Sequence, residues 1–429
     1  MVVDLENIRY KVITKIKGPL VFTEKIADLK YGELVVVELE GEERNGRVVE
    51  VGENHSIIQV YRGTEKIGKN AKIKLTGRLY NVPVSESCFG RIFNGVGEPI
   101  DGGPEIKGEE RTINSEAISP NMRAVPEKFL QTKISGIDLM NSYVMGQKLP
   151  IFSGSGLPHN QLISQMINQM ENVKILFVGL GMKYEDFEFF KNELLNENTL
   201  NNISLFINFS SDPSVERIIT PRIALAFGEF LAFERGHDVV VILSDMRNYC
   251  DALREVSNSL GEIPGRRGYP PYLYSDLASI YERSGIIKGK EGSLTQIPVL
   301  TMPGDDITHP IADLTGYITE GQIILSRELF LKGISPPIDV LPSLSRLMHK
   351  GISKEHYSIA NKLYSSYAEA REVDKLAKIL GEDSLTEKEK SLAVFSSRFE
   401  NELLKQDFSQ KRELEESLKL AENVLSAIS

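Results

Sequence analysis

The chain has 429 residues, enough for two or three domains with an ample buried core. Its 50 Lys and Arg stand against 60 Asp and Glu, a formal net charge of −10, which argues against broad binding to a phosphate backbone but not against a local basic patch; no nucleic-acid partner is expected. With 41% hydrophobic and 26% charged residues it has the composition of a globular protein, and no apolar run approaches the ~20 residues of a bilayer span.

Residues 1–11 alternate charged and apolar side chains and carry no signal-peptide core. The two cysteines, Cys88 and Cys250, are far apart and form no C-x-x-C motif, so a reducing cytoplasm is expected. Residues 1–75 read as β structure. Short β-branched runs at 34–37 and 47–51 are separated by the polar stretch 40–46, as in a hairpin, and 56–61 and 71–75 continue the pattern. Short strands at this spacing predict a small barrel or sandwich. Residues 90–104, punctuated by Gly and Pro, read as a connector.

The next unit is set at 76–345. Apolar strand-like runs at 175–178, 203–207 and 239–243 alternate with helical stretches, which predicts an α/β domain with a mainly parallel sheet. One helix carries Leu162, Ile163, Met166, Ile167 and Met170 on one face. The last unit, 346–429, reads as an α-helical bundle. Ile359, Ala360, Leu363, Tyr364 and Tyr367 form one stripe, Gly381 stops that helix, and Ser384 to Glu387 resembles a capping box for the next. A final stripe holds Leu414, Leu418, Ala421, Leu425 and Ile428.

The segment with the most chemistry is Ser153, Gly154, Ser155, Gly156, Leu157, Pro158, His159 and Asn160, which follows an apolar strand and opens a helix. A working phosphate-binding loop has G-x-x-x-x-G-K-[ST]: glycines expose amides, the lysine reaches the β/γ-phosphates and the hydroxyl binds Mg²⁺. Laid on that pattern, Ser153 and Pro158 replace the glycines, His159 the lysine and Asn160 the hydroxyl residue. Both charge-handling groups are missing, and taken alone the segment is equally an ordinary Gly-rich turn. A dinucleotide fingerprint fails as well, with His159 where a third glycine belongs. The strand at 239–243 ends in Ser244 and Asp245, as a Walker B strand would.

Longer blocks carry a resemblance. The stretch 147–160 (Gln-Lys-Leu-Pro-Ile-Phe-Ser-Gly-Ser-Gly-Leu-Pro-His-Asn) resembles the signature of the non-catalytic B subunit of archaeal/vacuolar-type rotary ATPases. So do 216–222 (Glu-Arg-Ile-Ile-Thr-Pro-Arg), 245–255, 264–270 (Pro-Gly-Arg-Arg-Gly-Tyr-Pro), 308–310 and 314–322 (Leu-Thr-Gly-Tyr-Ile-Thr-Glu-Gly-Gln). Residues 336–346 (Pro-Pro-Ile-Asp-Val-Leu-Pro-Ser-Leu-Ser-Arg) resemble a segment shared by both subunit types. The likeness runs in order from about residue 10 to about 410; 171–202 match loosely, and Met145 stands where members often have arginine.

The resemblance implies an N-terminal β-barrel, a central RecA-like P-loop domain whose loop is degenerate, and a C-terminal helical bundle. It implies an A3B3 ring with catalytic A subunits, central-stalk and peripheral-stalk partners, and indirect coupling to a membrane sector moving protons or sodium, from the cytoplasmic face of the membrane. ATP or ADP with Mg²⁺ would lie at the interface with the A subunit, with no cofactor or metal of this chain's own. Catalytic relatives carry a Gly-x-Gly-Glu-Arg turn that positions the attacking water; here 179–183 read Gly-Leu-Gly-Met-Lys, with Met182 at the glutamate. Arg346 falls at the arginine finger, which acts in trans on the neighbour's nucleotide. Asp245 then caps or pairs structurally, Tyr269, Tyr272 and Tyr274 are core or interface residues, and Arg266 and Arg267 serve inter-subunit or stalk contacts. The short termini suggest an archaeal member. Two other classes fit less well. A catalytic RecA-like ATPase needs the lysine and the glutamate turn, and a Rho-type RNA helicase needs basic and aromatic residues interleaved in its β-domain.

Overall fold

The computed structural model describes residues 9–39, 41–196, 199–381 and 384–428; most of the N-terminal reading over 1–11 lies outside them. The β-barrel comes first. Its strands are β1 (Arg9–Tyr10), β2 (Ile13–Lys17), β3 (Leu20–Glu24), β4 (Leu34–Leu39), β5 (Glu42–Val51), β6 (His55–Val60) and β7 (Lys72–Leu75). They form an antiparallel sheet in the order β1-β7-β4-β5-β6-β3-β2 around a core that includes Val21, Val35, Val48, Ile58 and Ile73. The expected hairpin is tighter than its sequence suggests: Leu39 pairs with Glu42, so most of the polar stretch is strand. Its charge survives inside because Arg44 turns back to Glu42 and donates to the Gly63 and Glu65 carbonyls.

The supposed connector also contributes a strand. Antiparallel β8 (Asn81–Val84) and β10 (Glu109–Thr112) flank β9 (Ile92–Asn94), which joins the edge of the central sheet. Phe93 stacks on Phe206 at 4.8 Å, and Asp101 accepts from Arg91 and from the Ile92 and Gly103 amides. A strand of three residues is too short to show a period, so its pairing is set by packing.

A short pair, β11 (Phe129–Leu130) and β12 (Tyr143–Val144), and helix α1 (Ser135–Asp138) lead into the α/β unit. Its strands are β13 (Ile151–Gly154), β14 (Lys174–Met182), β15 (Ile203–Phe209), β16 (Asp238–Ser244), β17 (Gly285–Ile286), β18 (Ser293–Met302), β19 (Gly321–Leu325) and β20 (Ile338–Ser345). The order is β20-β19-β13-β18-β16-β14-β15-β9, parallel throughout except for edge strand β20; β17 pairs antiparallel with β18. Both faces are covered, which is why the strands read as unbroken apolar runs. Phe177, Leu205 and Ile242 face α2 (His159–Gln169) and α3 (Tyr184–Leu194). Leu176, Phe206 and Val241 face α4 (Ser214–Glu229) and α5 (Met246–Leu260). Helices α6 (Leu273–Tyr281), α7 (Pro310–Ile318) and α8 (Arg327–Leu331) complete the layer.

After α9 (Met348–Gly351) comes the helical C-terminal domain: α10 (Lys354–Leu380), α11 (Glu387–Arg398) and α12 (Leu414–Leu425). Its Leu363, Tyr367, Phe395 and Phe399 merge with the core behind α2 and α3. Tyr364 departs from its expected stripe: it is exposed, and its hydroxyl donates to the Leu341 carbonyl. The capping box is real but lies two residues on, between Thr386 and Glu389. No described helix is long and apolar enough to cross a membrane.

Candidate functional site

Strand β13 delivers Ser153 and Gly154, both buried, to the carboxyl edge of the sheet, where ligands bind in open α/β folds. Ser155 and Gly156 are exposed, Gly156 turns the chain at φ 79°, Leu157 is buried, and Pro158 precedes the first turn of α2. This is the strand–turn–helix that a phosphate loop requires. Its side chains, however, are bound to the protein itself. His159 Nδ1 lies 3.2 Å from the Ser153 hydroxyl, and Asn160 donates to Asp186 Oδ1 at 3.0 Å, tying α2 to α3.

Two residues that the motif reading missed close the loop from above. Asp305, just past β18, lies with its carboxylate against Gly154, alongside Arg327. Arg327 grips Asp305 with two hydrogen bonds of 2.8 and 3.1 Å and donates to the Ser155 carbonyl at 2.9 Å. The guanidinium holds the Asp305 carboxyl below its ordinary range, so the charge persists. A phosphate in the loop would meet this carboxylate, offset only by the Arg327 guanidinium already bound to it, with no lysine beside it. The residues present do not fit a nucleotide with Mg²⁺.

Asp245 caps α5 through the Arg247 amide at 2.8 Å and accepts from the Thr301 amide at 3.1 Å, binding the ends of β16 and β18 together. Met182 is buried, its thioether packed on Gly179, while Arg217 and Asn248 brace Gly181. The 179–183 stretch expected as a turn is largely strand, because β14 extends to Met182 through a bulge. Tyr269 is buried and donates to Asp251; Tyr272 and Tyr274 are partly exposed. Arg266 and Arg267 are exposed and sit near Asp313 and Asp306.

Arg346 is elsewhere. It follows the last residue of β20, its amide donating to the Glu320 carbonyl at 3.0 Å, and the strand end is pinned by Ser345 to the Ser142 carbonyl. Its guanidinium is exposed and forms no ion pair among the described residues; Nη1 reaches only the Thr319 carbonyl at 3.5 Å. Phe152 pairs with Ile324, which puts Gly154 level with Ser326, whereas Arg346 lies level with Glu320. Six residues of strand separate the two levels, roughly 20 Å at the usual rise. The loop and the arginine occupy opposite edges of one sheet, and Arg346 cannot serve its own loop.

Three family descriptions match in sequence. Residues 13–77 match the ATP synthase alpha/beta family, beta-barrel domain, residues 133–345 its nucleotide-binding domain, and residues 345–429 the C-terminal domain of V and A type ATP synthase. The chain is 49% identical to the B subunit of the A-type ATP synthase of Aeropyrum pernix, over 98% of this chain and 94% of that one. It is also similar to the solved structure of an ATP synthase subunit, NeqB, from Nanoarcheaum equitans, with a TM-score of 0.79 and 41% identity, covering 96% and 99% of the two chains.

Proposed function

The chain belongs to the ATP synthase alpha/beta family, among relatives of the B subunit of the A-type enzyme, and from that premise we propose that it is the non-catalytic B subunit of an A-type rotary ATP synthase. One observation carries the reading: Arg346, exposed and without an ion pair among the described residues, stands at the sheet edge opposite a loop with His159 and Asn160 where the lysine and the metal-binding hydroxyl belong. Such a chain cannot turn over ATP by itself but can complete a neighbour's site.

In this reading three copies alternate with three catalytic A subunits. ATP or ADP with Mg²⁺ is held by the A subunit at the shared interface, and Arg346 acts on it in trans, stabilising charge on the γ-phosphoryl oxygens. Trans-acting arginine fingers are worth of order 10³ to 10⁵ in rate. The loop from Ser153 to Asn160 holds nucleotide weakly or not at all. The ring couples to proton or sodium transport through central and peripheral stalks, which places the chain peripherally at the cytoplasmic face of the membrane. Residues 1–75, 76–345 and 346–429 are its three working units.

The test is Arg346→Ala in a ring rebuilt with the catalytic partner. Assembly by size exclusion should be unaffected and ATP turnover should fall by orders of magnitude. Wild-type turnover in an assembled mutant ring would rule the finger out.

A further inference from the structure

The free state of Arg346 needs an explanation, because its cross-strand neighbour is an acid. The β19–β20 ladder pairs Gln322 with Leu344 and Gly321 with Ser345. The next pair is Glu320 with Arg346, joined by the Arg346 amide and the Glu320 carbonyl. Opposed residues of an antiparallel pair sit side by side on one face, and opposite charges there attract. The expected contact is a Glu320–Arg346 ion pair, which would neutralise the guanidinium and set a carboxylate beside it.

The structure sends Glu320 elsewhere. Its carboxylate accepts from the Lys148 ammonium and, at 2.8 Å, from the Lys148 amide, and the Glu320 amide donates to the Lys148 carbonyl at 3.0 Å. Lys148 is 5% exposed, and a buried ammonium is costly unless paired. Its second carboxylate, Glu282 at 3.4 Å, is shared with Arg123 at 2.9 Å. Glu320 is therefore the main counter-charge of a buried cation and is not released to the surface.

We propose that Lys148 is a positioning residue for Arg346: it sequesters Glu320 so that the arginine stays unpaired and available to an anionic phosphate on a neighbouring chain of the ring. The proposal rests on the finger reading above, and the two can fail separately.

The test compares Lys148→Met, Lys148→Met/Glu320→Gln and Arg346→Ala in rebuilt rings with MgATP. In Lys148→Met the released Glu320 pairs with Arg346. Turnover should fall by up to about fivefold, the upper end of the strength of an opposed charge pair, with KM for ATP little changed, since a transition-state contact is lost. The deficit should shrink at high salt, which screens exposed pairs. Adding Glu320→Gln should restore most of the turnover, and Lys148→Arg should retain more than Lys148→Met. Wild-type turnover in Lys148→Met beside an inactive Arg346→Ala overturns this inference and leaves the finger standing. A double variant no faster than Lys148→Met also overturns it, since Lys148 then acts through packing. An active Arg346→Ala removes both. Should Lys148→Met fail to assemble, Lys148→Gln makes the same comparison.

Discussion

Rebuilding the phosphate motif by His159→Lys and Asn160→Thr should not by itself give this chain a nucleotide site. The new lysine adds a charge-assisted hydrogen bond to phosphate, about 1.5 to 3 kcal/mol. Against it stands Asp305, packed on Gly154. A phosphate charge about 5 Å from that carboxylate, at an effective dielectric of about 20, loses about 3 kcal/mol. Arg327 offsets part of this, but its donors are already engaged by Asp305 and the Ser155 carbonyl. The Asn160 change also removes its bond to Asp186, which costs stability in the free and bound chain alike and leaves the binding balance unchanged. Gain and loss nearly cancel.

Adding Asp305→Ala removes the repulsion and leaves Arg327 as a free cation over the loop. The triple variant should therefore bind Mg-ADP more tightly than the double by about 3 kcal/mol, over a hundredfold in Kd. Titrating a fluorescent ADP analogue into the isolated chain measures both, with Asp305→Ala alone as control. Low-micromolar binding by the double variant with Asp305 intact would refute the reasoning. So would a triple variant that binds no better than the double.

Two further outcomes follow from geometry. Glu216 is buried, and that burial, with the charge of Asp212 nearby, pushes its carboxyl from the ordinary 4.5 up to about 7. The folded state therefore holds a proton that the unfolded chain has released, and stability falls as pH rises from about 4.5 to about 7. Glu216→Gln should flatten that slope and be more stable at pH 8 by about 1 to 3 kcal/mol; urea unfolding at pH 5 and pH 8 that shows the same change at both sinks the idea. Gly321 has φ 122° and lies directly against the Leu344 carbonyl. Gly321→Ala should force β19 and β20 apart, costing about 2 kcal/mol or more, lowering Tm and slowing the rebuilt ring; unchanged values of both would show that the strands tolerate the methyl.

The parts legible in the sequence are those where burial leaves a local trace. Residues 239–243 are apolar throughout because β16 is covered on both faces, and Leu162, Ile163, Met166 and Ile167 mark the side of α2 that enters the main apolar core, although Ser164, Gln165 and Gln169 are buried too. Where two local solutions compete, sequence cannot choose: Ser384 with Glu387 and Thr386 with Glu389 both satisfy the capping pattern, and only the second forms. Tyr364 has the spacing of its stripe, but its hydroxyl is satisfied by Leu341 at the surface. Strand β9 left no trace, since its three residues, in a four-residue stretch between glycines, take their conformation from Phe206 and β15.

The site divides in the same way. What residues 159, 160 and 182 lack can be read one position at a time. What replaces it cannot, because Asp305 and Arg327 reach the loop from beyond β18 and β19, and Lys148 meets Glu320 across 172 residues of chain. The direction of β20 is of this second kind. Parallel strands all end at the loop's edge of the sheet, and an arginine closing another parallel strand would have sat beside Ser153. Because β20 runs the other way, the residue that follows it, Arg346, emerges at the opposite edge, next to Glu320, with the length of the sheet between it and its own loop. A guanidinium placed there can meet a phosphate only if a neighbouring chain supplies one, so the antiparallel edge strand is what makes an action in trans the natural reading of Arg346.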